Sequence, residues 1–159
     1  MKGQRFVRAI LTWIILALAS PLVIQAQGRR GSEESRLLRD AAALESRGDY
    51  ERAEMVLRRL LDIDPGSTGG LFALERVFRA QGKPEKILPV VDVFIDTNSS
   101  ASGVWYVKLR VLADLDSLEA LEAEATRWFE SDPGSEEPYR EVARVYEDVF
   151  GVDRAIETL

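Results

Sequence analysis

Two landmarks in this chain recur on one interval, and that interval limits the possible fold more than any other feature. Gly48 and Gly82 lie 34 residues apart, and Pro65 and Pro133 lie 68 apart, which is two such periods. A period of this size means one small helical or helix-and-strand unit copied along the chain. Each copy is too small to bury its own apolar face and is covered by its neighbours. The frame gives units at residues 34–67, 68–101 and 102–135 and a partial unit at 136–159. Residues 1–26 and a linker at 27–33 come before them.

Side-chain chemistry repeats in the same frame. The fourth position of each unit is Leu37, Leu71, Trp105 and Tyr139, and seven residues later stand Leu44, Phe78, Leu112 and Tyr146. In the second halves, one column holds Ala53, Ile87, Leu121 and Ala155, and another holds Leu60, Phe94 and Trp128. Spacings of three, four and seven place these residues on one face of a helix, and strand-like alternation is absent. The fold class expected is therefore all-α, an α-solenoid of antiparallel helix pairs. Trp105 and Trp128 fall in core columns, which makes them packing residues and not stacking platforms for a ligand.

Helix ends are marked too. Ser32 before Glu33 and Glu34, Asp116 followed by Glu119, and Ser135 before Glu136, Glu137 and Pro138 each suit a helix start. Pro65-Gly66 and Pro133-Gly134 suit helix stops. Pro84 fits a helix start, whereas Pro89, a turn further on, predicts a kink.

The stretch from Gly48-Asp49-Tyr50-Glu51-Arg52-Ala53 to Leu60-Leu61-Asp62-Ile63-Asp64-Pro65 resembles the second helix of a tetratricopeptide repeat. Ala41 and Leu44 match the small and bulky positions of that repeat's first helix, and Phe129 to Pro133 end the third unit in the same style. The resemblance spans roughly residues 34–159, about three and a half units. The sequence departs from it at Glu75 and Leu109, where a small residue is expected, at Asn98 for proline, and at Asp116 and Phe150 for glycine. The resemblance implies a protein-binding scaffold whose first helices line a concave groove.

Composition removes other classes of function. The chain has no cysteine and no histidine, so disulfides, thiolate nucleophiles, histidine triads and His/Cys zinc sites are impossible. No cofactor motif is present, and Thr68-Gly69-Gly70 lacks the lysine of a phosphate loop. Asp62-Ile63-Asp64 and Asp114-Leu115-Asp116 begin like calcium loops, but their twelfth positions are Ala73 and Ala125 where glutamate is required. The remaining acids fit solvated faces and helix starts, not a carboxylate pair across a cleft, so no enzyme is expected. Asn98-Ser99-Ser100 is a glycosylation sequon, relevant only in a host that modifies secreted proteins.

The N-terminal segment carries Lys2, Arg5 and Arg8 without an acid, then an apolar run from Ala9 to Ala19, a break at Ser20-Pro21, and an exit at Gln25-Ala26. That order is the pattern of a secretory signal, too short for a comfortable membrane span. Export to a periplasm or the outside is expected, with no membrane span after cleavage. An uncleaved tether is the alternative. Removing those three cations leaves 18 basic and 27 acidic residues, a charge of −9 that disfavours nucleic acid. At the other end, Ile156 and Leu159 close the last predicted helix without a polar cap, which predicts further repeats or self-association through that end.

One column is chemically unusual. Arg76, Arg110 and Arg144 recur at the period, each four residues after Phe72, Tyr106 or Arg140, on a stripe turned away from Leu71, Leu74 and Phe78. By resemblance this stripe lines the groove, giving a candidate partner-binding set of Phe72, Arg76, Arg79, Tyr106, Arg110, Arg140 and Arg144. Guanidinium groups suit carboxylates, so a protein or peptide partner of acidic character, such as a C-terminal tail, is expected. The competing reading is local pairing of Arg110 with Asp114 and of Arg144 with Asp148. A different use of the fold is as the recognition or oligomerisation arm of a longer enzyme or assembly. Signal processing has a direct check: N-terminal sequencing of exported protein is expected to begin at Gln27, and retention of Met1 or Lys2 would instead indicate a tether.

Overall fold

A computed structural model describes residues 31–97 and 101–150. Within them the chain forms α1 (31–45), α2 (Tyr50–Ile63), α3 (Thr68–Ala80), a 3₁₀ turn (Pro84–Ile87), α4 (Leu88–Thr97), α5 (Ser102–Asp114), α6 (Leu118–Ser131) and α7 (Glu137–Phe150). The signal segment, the sequon and the last predicted helix lie outside these residues. Among the described residues no helix is long and apolar enough to cross a membrane.

Successive helices pack on each other, and α5 also packs on α7, so first helices neighbour first helices along the stack. The core columns lie where the period places them. Leu37, Leu71, Trp105, Phe78, Leu112, Ala53, Ile87, Leu121, Leu60, Phe94 and Trp128 are all buried. Trp105 of α5 and Trp128 of α6 stack in parallel, with centroids 5.6 Å apart. Tyr139 departs from its column. It is 38% exposed, and its ring stacks on Phe129 of α6 at 4.3 Å.

The turns between paired helices repeat more faithfully than the side chains do. The Asp49, Lys83 and Ser117 amides donate to the carbonyls of Leu44, Phe78 and Leu112 at 2.9–3.0 Å, each spanning five residues. That closure requires a left-handed residue before the donor. Gly48, Gly82 and Asp116 supply it, with φ of 74°, 70° and 53°. Asp116 is thus the C-terminal turn residue of α5 and not the cap that opens α6. That position belongs to Ser117, whose side chain makes no capping bond. Ser32 is likewise no cap, since the helix already runs at residue 31. Residues 31–33, read from sequence as linker, are helical. The kink expected at Pro89 is displaced. The 3₁₀ turn ends at Ile87, and Pro89 becomes the second residue of α4, where a missing amide proton costs little.

Elsewhere the ends behave as their sequence suggests. Ser67 caps α3 by accepting from the Gly70 amide at 3.0 Å, and its hydroxyl donates to Glu34 of α1 at 2.6 Å. Gly70 is where α2 and α3 touch, because a Cβ there would lie 3.0 Å from Leu60 Cδ2.

Two stability outcomes follow from this geometry. Trp128→Ala removes half of the indole stack and opens a cavity, and is expected to cost about 3–5 kcal/mol in urea unfolding. Asp116→Gly relieves a left-handed non-glycine residue and is expected to add up to about 1 kcal/mol, seen as a higher midpoint at unchanged slope. A lower midpoint for Asp116→Gly would show that the aspartate side chain contributes more than its backbone strain costs.

Candidate functional site

The stripe read from sequence becomes a cleft between α3 and α5. On α3, Phe72, Glu75, Arg76 and Arg79 stand on one face at helical spacing, and Gly103, Tyr106, Val107 and Arg110 face them from α5. Together they line a groove of about 490 Å³. The backbones of α3 and α5 approach less closely than those of α5 and α7, so the joint is wedged open and bridged by long side chains. Phe72, Arg76, Arg79, Tyr106 and Arg110 therefore meet at one site. Arg140 and Arg144 do not line it. They stand on α7, 67% and 61% exposed.

Each guanidinium of the groove already holds a carboxylate. Arg76 donates from Nε and Nη2 to both oxygens of Glu45 on α1, at 2.8 Å each. Arg79 donates from Nε to Glu75 Oε1 at 2.8 Å and from Nη1 to Asp114 of α5. Arg110 Nη2 donates to the same Glu75 oxygen at 2.7 Å, and its Nε–H is buried without a partner. The Glu45 hydrogen bonds raise the pKa of Arg76 above that of a free arginine. For Arg79, burial pulls the pKa down, but Glu75 and Asp114 outweigh it and the net shift is upward. The local pairs proposed from sequence are not the ones formed. Arg110 reaches Glu75 in place of Asp114, and Arg144 lies 3.5 Å from Glu141 in place of Asp148. Arg110 finds its acid across the groove on α3, whereas the acid beside Arg144 lies on its own helix, three residues earlier.

Tyr106 occupies the far wall. The guanidinium carbons of Arg110 and Arg144 lie 5.5 Å and 5.1 Å from the centre of its ring. Its hydroxyl lies 3.5 Å from Asp148 Oδ2. Arg144 thus reaches the site indirectly, through the tyrosine it covers.

Glycine decides how Phe72 lies. Leu38 and Phe72 share a column, as do Gly69 and Gly103. A Cβ on Gly69 would sit 3.3 Å from Leu38 Cδ1, and one on Gly103 would sit 3.1 Å from Phe72 Cζ. Each stripe residue therefore ends against a glycine in the first turn of the following first helix. At the third joint that column holds Glu137, and Tyr106 is covered by arginines instead.

Sequence reasoning noticed Glu75 only as a misfit, yet its side chain is 8% exposed and it organises two of the groove arginines. An acid on a buried stripe one turn before an arginine was the available signal. Lys108 was missed altogether. Its ammonium is buried on the opposite side of α5, 2.8 Å from Asp92 and 2.6 Å from Glu124, and pins α4 and α6 to α5.

A wider depression of about 740 Å³ lies at the turn edge, but its charges cancel: Arg47, Lys83 and Lys86 against Asp49, Glu51 and Glu54. Burial would raise the pKa of Glu54 there, but hydrogen bonds from Arg58 and Gln81 and the charges of Arg58 and Lys86 outweigh it and lower the pKa. The Arg58 bond lies within α2, and the Gln81 bond ties α2 to the end of α3, so both serve the fold.

With this geometry in place, comparison with solved structures fixes the architecture. MamA from Desulfovibrio magneticus RS-1, residue 41 to the end, superposes with a TM-score of 0.51 at 18% identity, over 79% of this chain and 71% of that one. Another crystal structure of MamA gives 0.55 at 18% identity, over 80% and 70%. The fold is a tetratricopeptide-type solenoid. YrrB, described as a TPR protein with an unusual peptide-binding site, scores a much weaker 0.35 at 16% identity, over 77% of this chain and 80% of that one. No protein-family model matches the sequence, and no curated protein matches it either.

The coupling within the groove is measurable. A double-mutant cycle on Glu75→Ala and Arg110→Ala is expected to give about 1–2 kcal/mol of interaction energy. The more exposed Glu45 and Arg76 pair is expected to give less than about 1 kcal/mol. Equal coupling in the two cycles would show that burial of Glu75 adds nothing.

Proposed function

We propose that this protein is an exported interaction scaffold that holds a segment of a partner protein in the cleft between α3 and α5, with no chemistry done on it. The observation that carries this reading is the cleft itself, an open wedge where the first-helix stripe presents aromatic and guanidinium groups together. Export is supported by the order of charge, apolar run and break over residues 1–26. The finer reading is that the bound segment carries carboxylates, which exchange with Glu45, Glu75 and Asp114 at the arginines. Arg140 and Arg144 extend the same face along α7.

A photo-reactive residue at position 72 is expected to crosslink a partner in the exporting cell, whereas one at the exposed position Met55 on α2 is not. Equal crosslinking from both positions would remove the groove from the interaction. With the crosslinked partner purified, the Arg76→Ala, Arg110→Ala double variant is expected to bind about tenfold or more weakly, with a flatter salt dependence. Unchanged affinity and salt slope would sink the carboxylate reading and leave the groove standing.

A further inference from the structure

Resting on the groove reading, we infer that the centre of the α3–α5 cleft is a slot for one aromatic side chain of the partner, lodged between Phe72 and Tyr106. Charge is the first argument. Arg76, Arg79 and Arg110 are matched by Glu45, Glu75 and Asp114, so the cleft is already neutral. A ligand carboxylate arriving there exchanges one charge-assisted hydrogen bond for another, which fixes its place in the cleft but adds little net affinity. Net affinity has to come from surface the protein leaves uncovered. That surface is apolar and π-rich. Phe72 is 39% exposed, and Gly103 and Tyr106 continue the floor from it.

The walls select for a ring over an aliphatic chain. Arg110 already lies over one aromatic face at 5.5 Å, and the arginines flanking the cleft are held in place by their carboxylates. A ring entering beside Phe72 meets an aromatic surface on one side and guanidinium groups on the other, both of which favour a π-system. A phenol or indole suits these surfaces better than an alkyl chain. Phe72 can seat the tip of its ring against Gly103 only because that residue has no side chain.

The probe is p-cresol titrated into isotope-labelled protein, with glutarate as the charged comparison, followed by amide chemical shifts. Cresol is expected to move the signals of Phe72, Gly103, Tyr106 and Val107, while glutarate leaves them in place. Phe72→Ala is expected to weaken cresol binding roughly tenfold or more. Gly103→Ala keeps every side chain of the slot and only pushes on the Phe72 ring, so it is expected to weaken cresol while the fold persists. Shifts with glutarate and none with cresol up to its solubility limit would overturn the slot. Cresol binding that is unchanged in both variants would overturn it too. If the position-72 crosslink fails while cresol still binds, the groove reading has failed and the slot has not. If the crosslink succeeds while cresol does not bind, the reverse holds.

Discussion

Burial of α5 is the constraint on which the rest of the structure depends. Val104, Trp105, Val107, Lys108, Leu109, Val111, Leu112 and Ala113 are all buried, so this helix is enclosed on nearly every side. A helix apolar all round is stable only with neighbours on all its faces. The 3₁₀ turn, α4, α6 and α7 provide them. Even its one buried cation, Lys108, is matched by acids from α4 and α6, which satisfies the requirement that a buried charge be paired. The Trp105 and Trp128 stack belongs to the same enclosure, and Arg127 covers the other side of Trp105 at 5.5 Å.

The cleft is the counterpart of that enclosure. Where α5 meets α7 the backbones come close; where α5 meets α3 they stay further apart, and Glu75 stands in the cleft between them. A buried carboxylate needs partners, and Arg79 and Arg110 supply them from the two sides of the joint. Glu75, one of several departures from the repeat, thus organises the charged walls of the cleft. Function in repeat proteins commonly depends on such local departures, because the regular part of the stack only sets spacing and direction.

The turn at Asp116 makes the same point about repetition. The five-residue closure persists at all three turns although glycine does not. The backbone hydrogen bonds demand a left-handed residue, and aspartate tolerates that conformation better than most side chains. Conformation is repeated here more strictly than sequence, and that is why reading Asp116 from its side chain alone led to the wrong helix end.

The period, the helical class, the core columns and the shared stripe of Phe72, Arg76, Tyr106 and Arg110 were all determined by the sequence alone. Each depends on spacing along one helix, and spacing along a helix is fixed by 3.6 residues per turn. Which stripe residues come together was decided only by the tertiary structure. Arg110 chose Glu75 over Asp114, Arg144 moved to Tyr106, and Arg140 stayed outside, because those choices depend on the width of a joint between two helices. Joint width follows from how side chains from separate units pack against one another. A single sequence states which side chains are present in each unit, but it does not state the distance at which the units settle.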